Sequence, residues 1–306
     1  MLEGIIPIVF VPFDEQGDID EKGLQRVVRF ELDGGVDGIG INGFASEAYK
    51  LTDEERRRTV EIVASEVAGS VPLVIGIAPG STEAAIRQAR EFARWHPSAL
   101  MTLPPATMKV SPAALVDHYV DLGHAADSPL MVQQSPHIQG YAGTGLEASA
   151  LAEIAGRATN VRYFKIEGPG AADRIAVLRV HVNGDMVRMF GGGGGITLPD
   201  ELRAGSSGLI PGVGFNEFFC RAWPLWRSGR QDEALAVLDL IQPLVAAVSG
   251  TGHEFSLHAR KHLMQRAGYI RHAVVRRPSV AVNRQQMADL NAIVDTLGLR
   301  ISRQSS

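Results

Sequence analysis

Cysteine and lysine are both scarce in this 306-residue chain, and each scarcity excludes something. A single thiol, Cys220, rules out an internal disulfide framework and fits a reducing compartment. In Phe218-Phe219-Cys220-Arg221-Ala222-Trp223 it reads as a buried structural thiol rather than a nucleophile. No uncharged apolar run approaches the roughly 20 residues that span a bilayer. The opening Met1-Leu2-Glu3-Gly4 has no basic n-region and no cleavage pattern, so cytoplasm is the expected location and no membrane partner is expected. A net charge of -4 gives no electrostatic reason to expect nucleic acid. There is no dinucleotide fingerprint. The five glycines at 191–195 lack the Gly-Lys-Ser or Gly-Lys-Thr of a phosphate loop. What is present, 45% hydrophobic and 21% charged residues, is the balance of a soluble globular protein.

The few lysines make one of them conspicuous. Five lysines stand against twenty-five arginines, and Lys22, Lys50, Lys109 and Lys261 lie among polar or charged sequence neighbours. Lys165 instead sits in Val161-Arg162-Tyr163-Phe164-Lys165-Ile166-Glu167, an apolar, aromatic strand candidate. Alternation puts Val161, Tyr163 and Lys165 on one face. An ammonium group turned into an apolar interior loses hydration and is more readily a free, nucleophilic amine. Such a lysine forms Schiff bases with carbonyl substrates without a cofactor. The competing reading is a snorkelling lysine, or one paired with Glu167 two positions on.

Short strand candidates alternate with amphipathic helix candidates for about 215 residues, the rhythm of βα units. Strands are expected at 5–10, 37–41, 72–77, 99–103, 130–133, 161–166, 186–191 and 208–210. Helices are expected at 21–32, from Thr52 with a capping box, and from Ser81 to about Trp95. Eight such units close more readily into a (β/α)8 barrel than into an open sheet. After Pro211 only helices are expected, at 217–226, 231–248, 253–266 and 283–296. The division is therefore a barrel over 1–228 and a helical extension over 229–306 packed on it. Arg303 to Ser306 is expected to fray.

In a barrel, reactive groups gather at the carboxyl ends of strands. Strand two ends in Asn42-Gly43-Phe44-Ala45-Ser46-Glu47, an anion nest or a plain turn. Strand five ends in Gln133-Gln134-Ser135-Pro136-His137, and strand six in Lys165 and Glu167. Strand seven runs into the glycines, which mean either close backbone approach or a mobile loop.

Taken together, Gly43-Phe44-Ala45-Ser46-Glu47, Pro136, Phe164-Lys165 and Ala204-Gly205-Ser206-Ser207-Gly208-Leu209-Ile210 resemble the dihydrodipicolinate synthase and N-acetylneuraminate lyase superfamily over essentially the whole chain. Met131-Val132-Gln133-Gln134 and the run from Tyr163 to Ala172 resemble the branch holding 2-keto-3-deoxy sugar-acid dehydratases, such as 2-keto-3-deoxy-L-arabonate dehydratase. The resemblance implies a TIM barrel, a lyase without cofactor or metal, and a homo-oligomer, tetramer or dimer. It places Lys165 at the Schiff-base position and assigns substrate contacts to Gly43, Phe44, Ala45, Ser46, Gly193, Gly194 and Ile210. It also marks departures. The family's strand-five tyrosine falls at Gln133, which orients by hydrogen bonds but exchanges no proton near neutrality. The second relay tyrosine falls within Pro104-Pro105-Ala106, and an arginine falls near Ile138. The paired hydroxyl residues of the first loop fall at Phe44 and Ala45, leaving Ser46. Gly193 and Gly194 replace polar residues, which implies a roomier distal pocket with Phe44 as an apolar wall. Synthesis of dihydrodipicolinate is therefore not expected.

The expected reaction is imine formation between Lys165 and a 2-keto acid whose carboxylate rests on residues 43–46. Dehydration of a 2-keto-3-deoxy sugar acid or aldol cleavage follows. Gln133 and Glu167 complete the catalytic set, with Ser46, His137 and Tyr141 as further acid-base candidates. Two other readings are a metal-dependent aldolase, disfavoured by strand ends of glycine, glutamine and serine, and a barrel that binds 2-keto acids without turnover.

Overall fold

The computed structural model describes residues 1–77, 80–105, 110–297, 299 and 301. Ala106, Lys109 and the segment 303–306 lie outside the described residues. Among those described, eight strands alternate with helices along the chain and three further helices follow, the order of a (β/α)8 barrel with a helical C-terminal segment. The chain forms two compact units, one of residues 1–3, 72–193 and 197–210, the other of residues 4–71, 194–196 and 211–306.

In the first unit, β3 (Leu73–Ile77), β4 (Ala99–Thr102), β5 (Leu130–Gln134), β6 (Val161–Ile166) and β7 (Arg188–Phe190) form a parallel sheet in chain order. β8 (Gly208–Leu209) joins its edge through a parallel bridge from Leu209 to Gly191. The strands β3, β4 and β5 are buried along their whole length, as expected of parallel strands covered on both faces. Pairing sets Gln133 beside Lys165, and Lys165 beside Phe190, so three strands present neighbouring positions at one end. The helices are α3 (Thr82–Phe92), α4 (Pro112–Ala125), α5 (Ala148–Arg157), α6 (Ala171–His181) and α7 (Leu198–Arg203). Ser81 and Ser111 accept from the amides of Ala84 and Ala114 and so start α3 and α4, each worth about 1 kcal/mol.

The second unit holds β1 (Gly4–Ile5), α1 (Glu21–Asp33), β2 (Ile39–Ile41), α2 (Asp53–Val67), α8 (Asn216–Arg227), α9 (Gln231–Ser249), α10 (His253–Arg266) and α11 (Arg284–Leu297). The Thr52–Glu55 capping box is formed as expected. The first strand is shorter than the 5–10 expected. Pro7 removes a ladder donor, and beyond it only Ile8 makes isolated parallel bridges, to Gly40 and Gly212. Cys220 on α8 is half-buried rather than fully buried, and burial pushes its thiol well up from its ordinary value.

Candidate active site

At the end of β6 the first unit assembles a compact polar cluster. Lys165 is 6% exposed and Glu167 5%. Their side chains meet, Nζ to Oε2 at 3.2 Å, because both stand on one face of the strand. The lysine is therefore met by a carboxylate and not by hydrocarbon alone, the pairing that alternation along the strand allows. Glu167 is fixed from several sides. Oε1 accepts from Gln133 Nε2 at 2.8 Å and from the Ser135 hydroxyl, and Oε2 accepts from the Gly193 amide at 2.9 Å. Burial by itself would raise this carboxyl. The Lys165 charge, the Ser135 hydroxyl and the Gly193 N–H more than offset it, holding the group at about 2.

Gln133 is oriented by that carboxylate. Its amide nitrogen also donates to Ser135 Oγ at 2.9 Å, and a flipped amide would set oxygen against oxygen. Its Oε1 is buried without a protein partner. Ser135, read at the end of strand five, carried no assigned role, although alternation from Gln133 carries the signal that finds one. His137 lies beyond the same strand. Its ring is against Gly168, where a Cβ would stand 2.5 Å from Nδ1. Burial lowers the imidazole, with Glu167 pulling it up and Lys165 and Arg174 pushing it down.

Close approach explains Gly191 and Gly192 of the glycine run. A Cβ on Gly192 would lie 2.1 Å from Glu167 Oε2 and 2.9 Å from Lys165 Cε. Gly193, at φ +58°, faces open space. Ile210 is buried and donates its amide to the Gly191 carbonyl.

The remaining substrate-contact candidates belong to the second unit, while Tyr141 belongs to the first. Residues Phe44–Ser46 form one 3-10 turn, with the Ser46 amide bonded to the Gly43 carbonyl. Ser46 Oγ donates to the Val9 carbonyl at 2.6 Å. Phe44 packs its ring on Tyr49 and His253, centroids 4.6 and 4.2 Å away, and Ala45 is half-buried. Gly194 has no spare room, since a Cβ there would stand 2.1 Å from Ser249 Oγ. Among the described residues no group of three or more His, Cys, Asp or Glu side chains is placed to hold a metal ion. Among them, too, no single helix is long and apolar enough to cross a membrane.

A model of the dihydrodipicolinate synthetase family matches residues 1–297. The chain belongs to that family. It is 32% identical to the L-2-keto-3-deoxyarabonate dehydratase of Azospirillum brasilense, over 97% of this chain and 96% of that one. It is 29% identical to a 4-hydroxy-tetrahydrodipicolinate synthase of Methanothermobacter thermautotrophicus, over 68% of this chain and 73% of that one. Dihydrodipicolinate synthase from Rhodopseudomonas palustris shares the fold at a TM-score of 0.87 and 20% identity, covering 96% of this chain and 97% of its own. The fold of this family member is the (β/α)8 barrel with C-terminal helices.

Proposed function

We propose that the protein is a Schiff-base lyase that dehydrates a 2-keto-3-deoxy sugar acid or a related 2-keto acid. The observation that carries this reading is the buried Lys165 amine held 3.2 Å from a carboxylate that is itself fixed by three donors. The likeness to a dehydratase over nearly the full length of both chains supports the choice of reaction.

In this mechanism the Lys165 amine adds to the 2-keto carbon and water leaves, giving an iminium. Loss of the C3 proton gives an enamine, which expels the C4 hydroxyl as water once that oxygen is protonated. Hydrolysis of the new iminium then frees the amine and the product. Glu167 stabilises the cationic iminium and fixes its position. A carboxyl held at about 2 is a poor carrier of protons near pH 7. The proton carrier in this mechanism is His137, an exposed imidazole beyond β5 whose titration responds to both Glu167 and Lys165. Gln133 cannot exchange protons, but its buried, unpartnered Oε1 is an acceptor suited to a substrate hydroxyl.

Aldol cleavage runs through the same iminium and differs in the bond that breaks. The reaction is tested with a panel of 2-keto-3-deoxy sugar acids and aldol products, followed by mass spectrometry. Loss of 18 mass units from an acid of the panel, about one water, supports dehydration. Release of pyruvate with an aldehyde transfers the assignment to the aldolase reading, and binding without any product refutes turnover.

A further inference from the structure

A second buried carboxyl stands behind the one already described. Glu201, on α7, is fully buried. Its Oε1 accepts from the Thr197 hydroxyl at 2.8 Å, and its Oε2 has no protein partner. The carboxyl lies against the backbone of Gly191, where a Cβ would stand 1.7 Å from Oε2. One residue on, Gly192 turns its own Cα toward Glu167 Oε2 and Lys165 Cε. Successive residues of an extended segment face opposite ways. Glu201 and the Lys165–Glu167 pair therefore occupy the two sides of a glycine wall one backbone thick.

We propose that Glu201 is a positioning residue for Lys165, its carboxyl setting from behind Gly191 and Gly192 how much negative charge the lysine nitrogen faces. This rests on the imine reading of the site. The glycines make the arrangement possible, because a side chain at either position would push the two carboxyls apart. Charges facing Glu201 come from each neighbouring element: Glu167 and Lys165 from β6, Arg174 from α6 and Asp200 from its own helix. Burial pushes the Glu201 carboxyl up to about 7, against the Thr197 hydrogen bond, with Glu167 adding to the rise and Lys165 opposing it. Below that pH Glu167 is the one ionised carboxylate of the two. Above it a second anion joins from behind the wall.

The test is the rate at which pyruvate with cyanoborohydride labels Lys165, measured from pH 5.5 to 8.5 by intact mass. In the unmodified protein the profile should carry an inflection near 7. Glu201→Gln should remove it, changing the ratio of rates at the two ends several-fold. Thr197→Val deletes only the hydroxyl that stabilises the ionised form, so it should move the inflection to higher pH. It also covers the case in which Glu201→Gln fails to fold. Adducts that form with superimposable profiles in all folded variants overturn the role of Glu201 while leaving the imine reading intact. Absence of any adduct in the unmodified protein overturns both.

Discussion

Among the described residues two buried lysine–glutamate pairs stand out, and they differ in what surrounds them. Lys261 and Glu47, in the second unit, are both 0% exposed, with Nζ to Oε1 at 2.5 Å. Lys261 also donates to the Val274 carbonyl and sits 4.4 Å from the Phe13 ring centroid. Glu47 takes Lys50 Nζ and the Arg276 amide on its other oxygen. Nothing in that arrangement is left for a ligand to complete. Burial lowers the Lys261 amine to about 8, against the pull of Glu47. Lys165 and Glu167 are slightly less buried, are bordered by Gly193 facing open space, and hold beside them an unpartnered Gln133 oxygen. Burying a lysine is thus no mark of chemistry by itself. The mark is a buried pair with unfilled valences next to room for a substrate.

Exchanging the lysines breaks the comparison most sharply. Lys165→Ala should lower kcat by roughly a thousandfold or more, with the fold intact by circular dichroism. Lys261→Met should leave turnover within a few-fold and instead cost about 3–5 kcal/mol in denaturant unfolding, because Glu47 loses its buried partner. Similar stability losses in both variants, with no difference in turnover, would erase the distinction drawn between them.

His137→Asn should come next, lowering kcat by about 10²-fold while pyruvate labelling of Lys165 continues. Equal loss of labelling and turnover would return His137 to the role of an ordinary loop residue.

Stability against pH separates the carboxyls more finely. Glu167 is held below its ordinary value, so its contribution is present above pH 4.5 and fades as pH falls toward 2. Glu201 is raised from 4.5 to about 7, so its contribution is full below 4.5 and is lost as pH rises through 7. Glu201→Gln should therefore flatten the decline in unfolding free energy between pH 4.5 and 7 by up to about 3 kcal/mol. An unchanged slope would contradict the assigned titration. Burial raises Glu31 to about 7 as well, and its share of the slope remains in the variant.

The smallest effect belongs to Ser135→Ala. Losing one of three donors to Glu167 should raise that carboxyl and reduce kcat only a few-fold. A loss as large as that of Lys165→Ala would make Ser135 a participant in proton transfer.

The sequence made the βα order legible because strand and helix periods differ, and helix α10 has the bounds expected of it. The family read from the Gly43, Pro136, Lys165 and Ala204 segments agrees with the family match, and the branch read from the Met131 and Tyr163 segments agrees with the dehydratase relative. The Lys165–Glu167 pairing was also legible, since alternation along one strand suffices to place both on a face. Glu201 was not. It stands in a short helix among Pro199, Asp200 and Arg203, and its burial comes from packing against glycines that only the folded chain brings near. Lys261 failed for the same reason in reverse. Its sequence neighbours Arg260 and His262 are polar, yet its side chain is entirely enclosed.

The central claim, that Lys165 is the amine that takes the substrate, is tested most directly by peptide mapping after treatment with pyruvate and borohydride. A reduced adduct on the peptide containing Lys165, with none on the peptide containing Lys261 and none at all in Lys165→Ala, is the predicted result. An unlabelled protein, or an adduct that persists in Lys165→Ala, would contradict it.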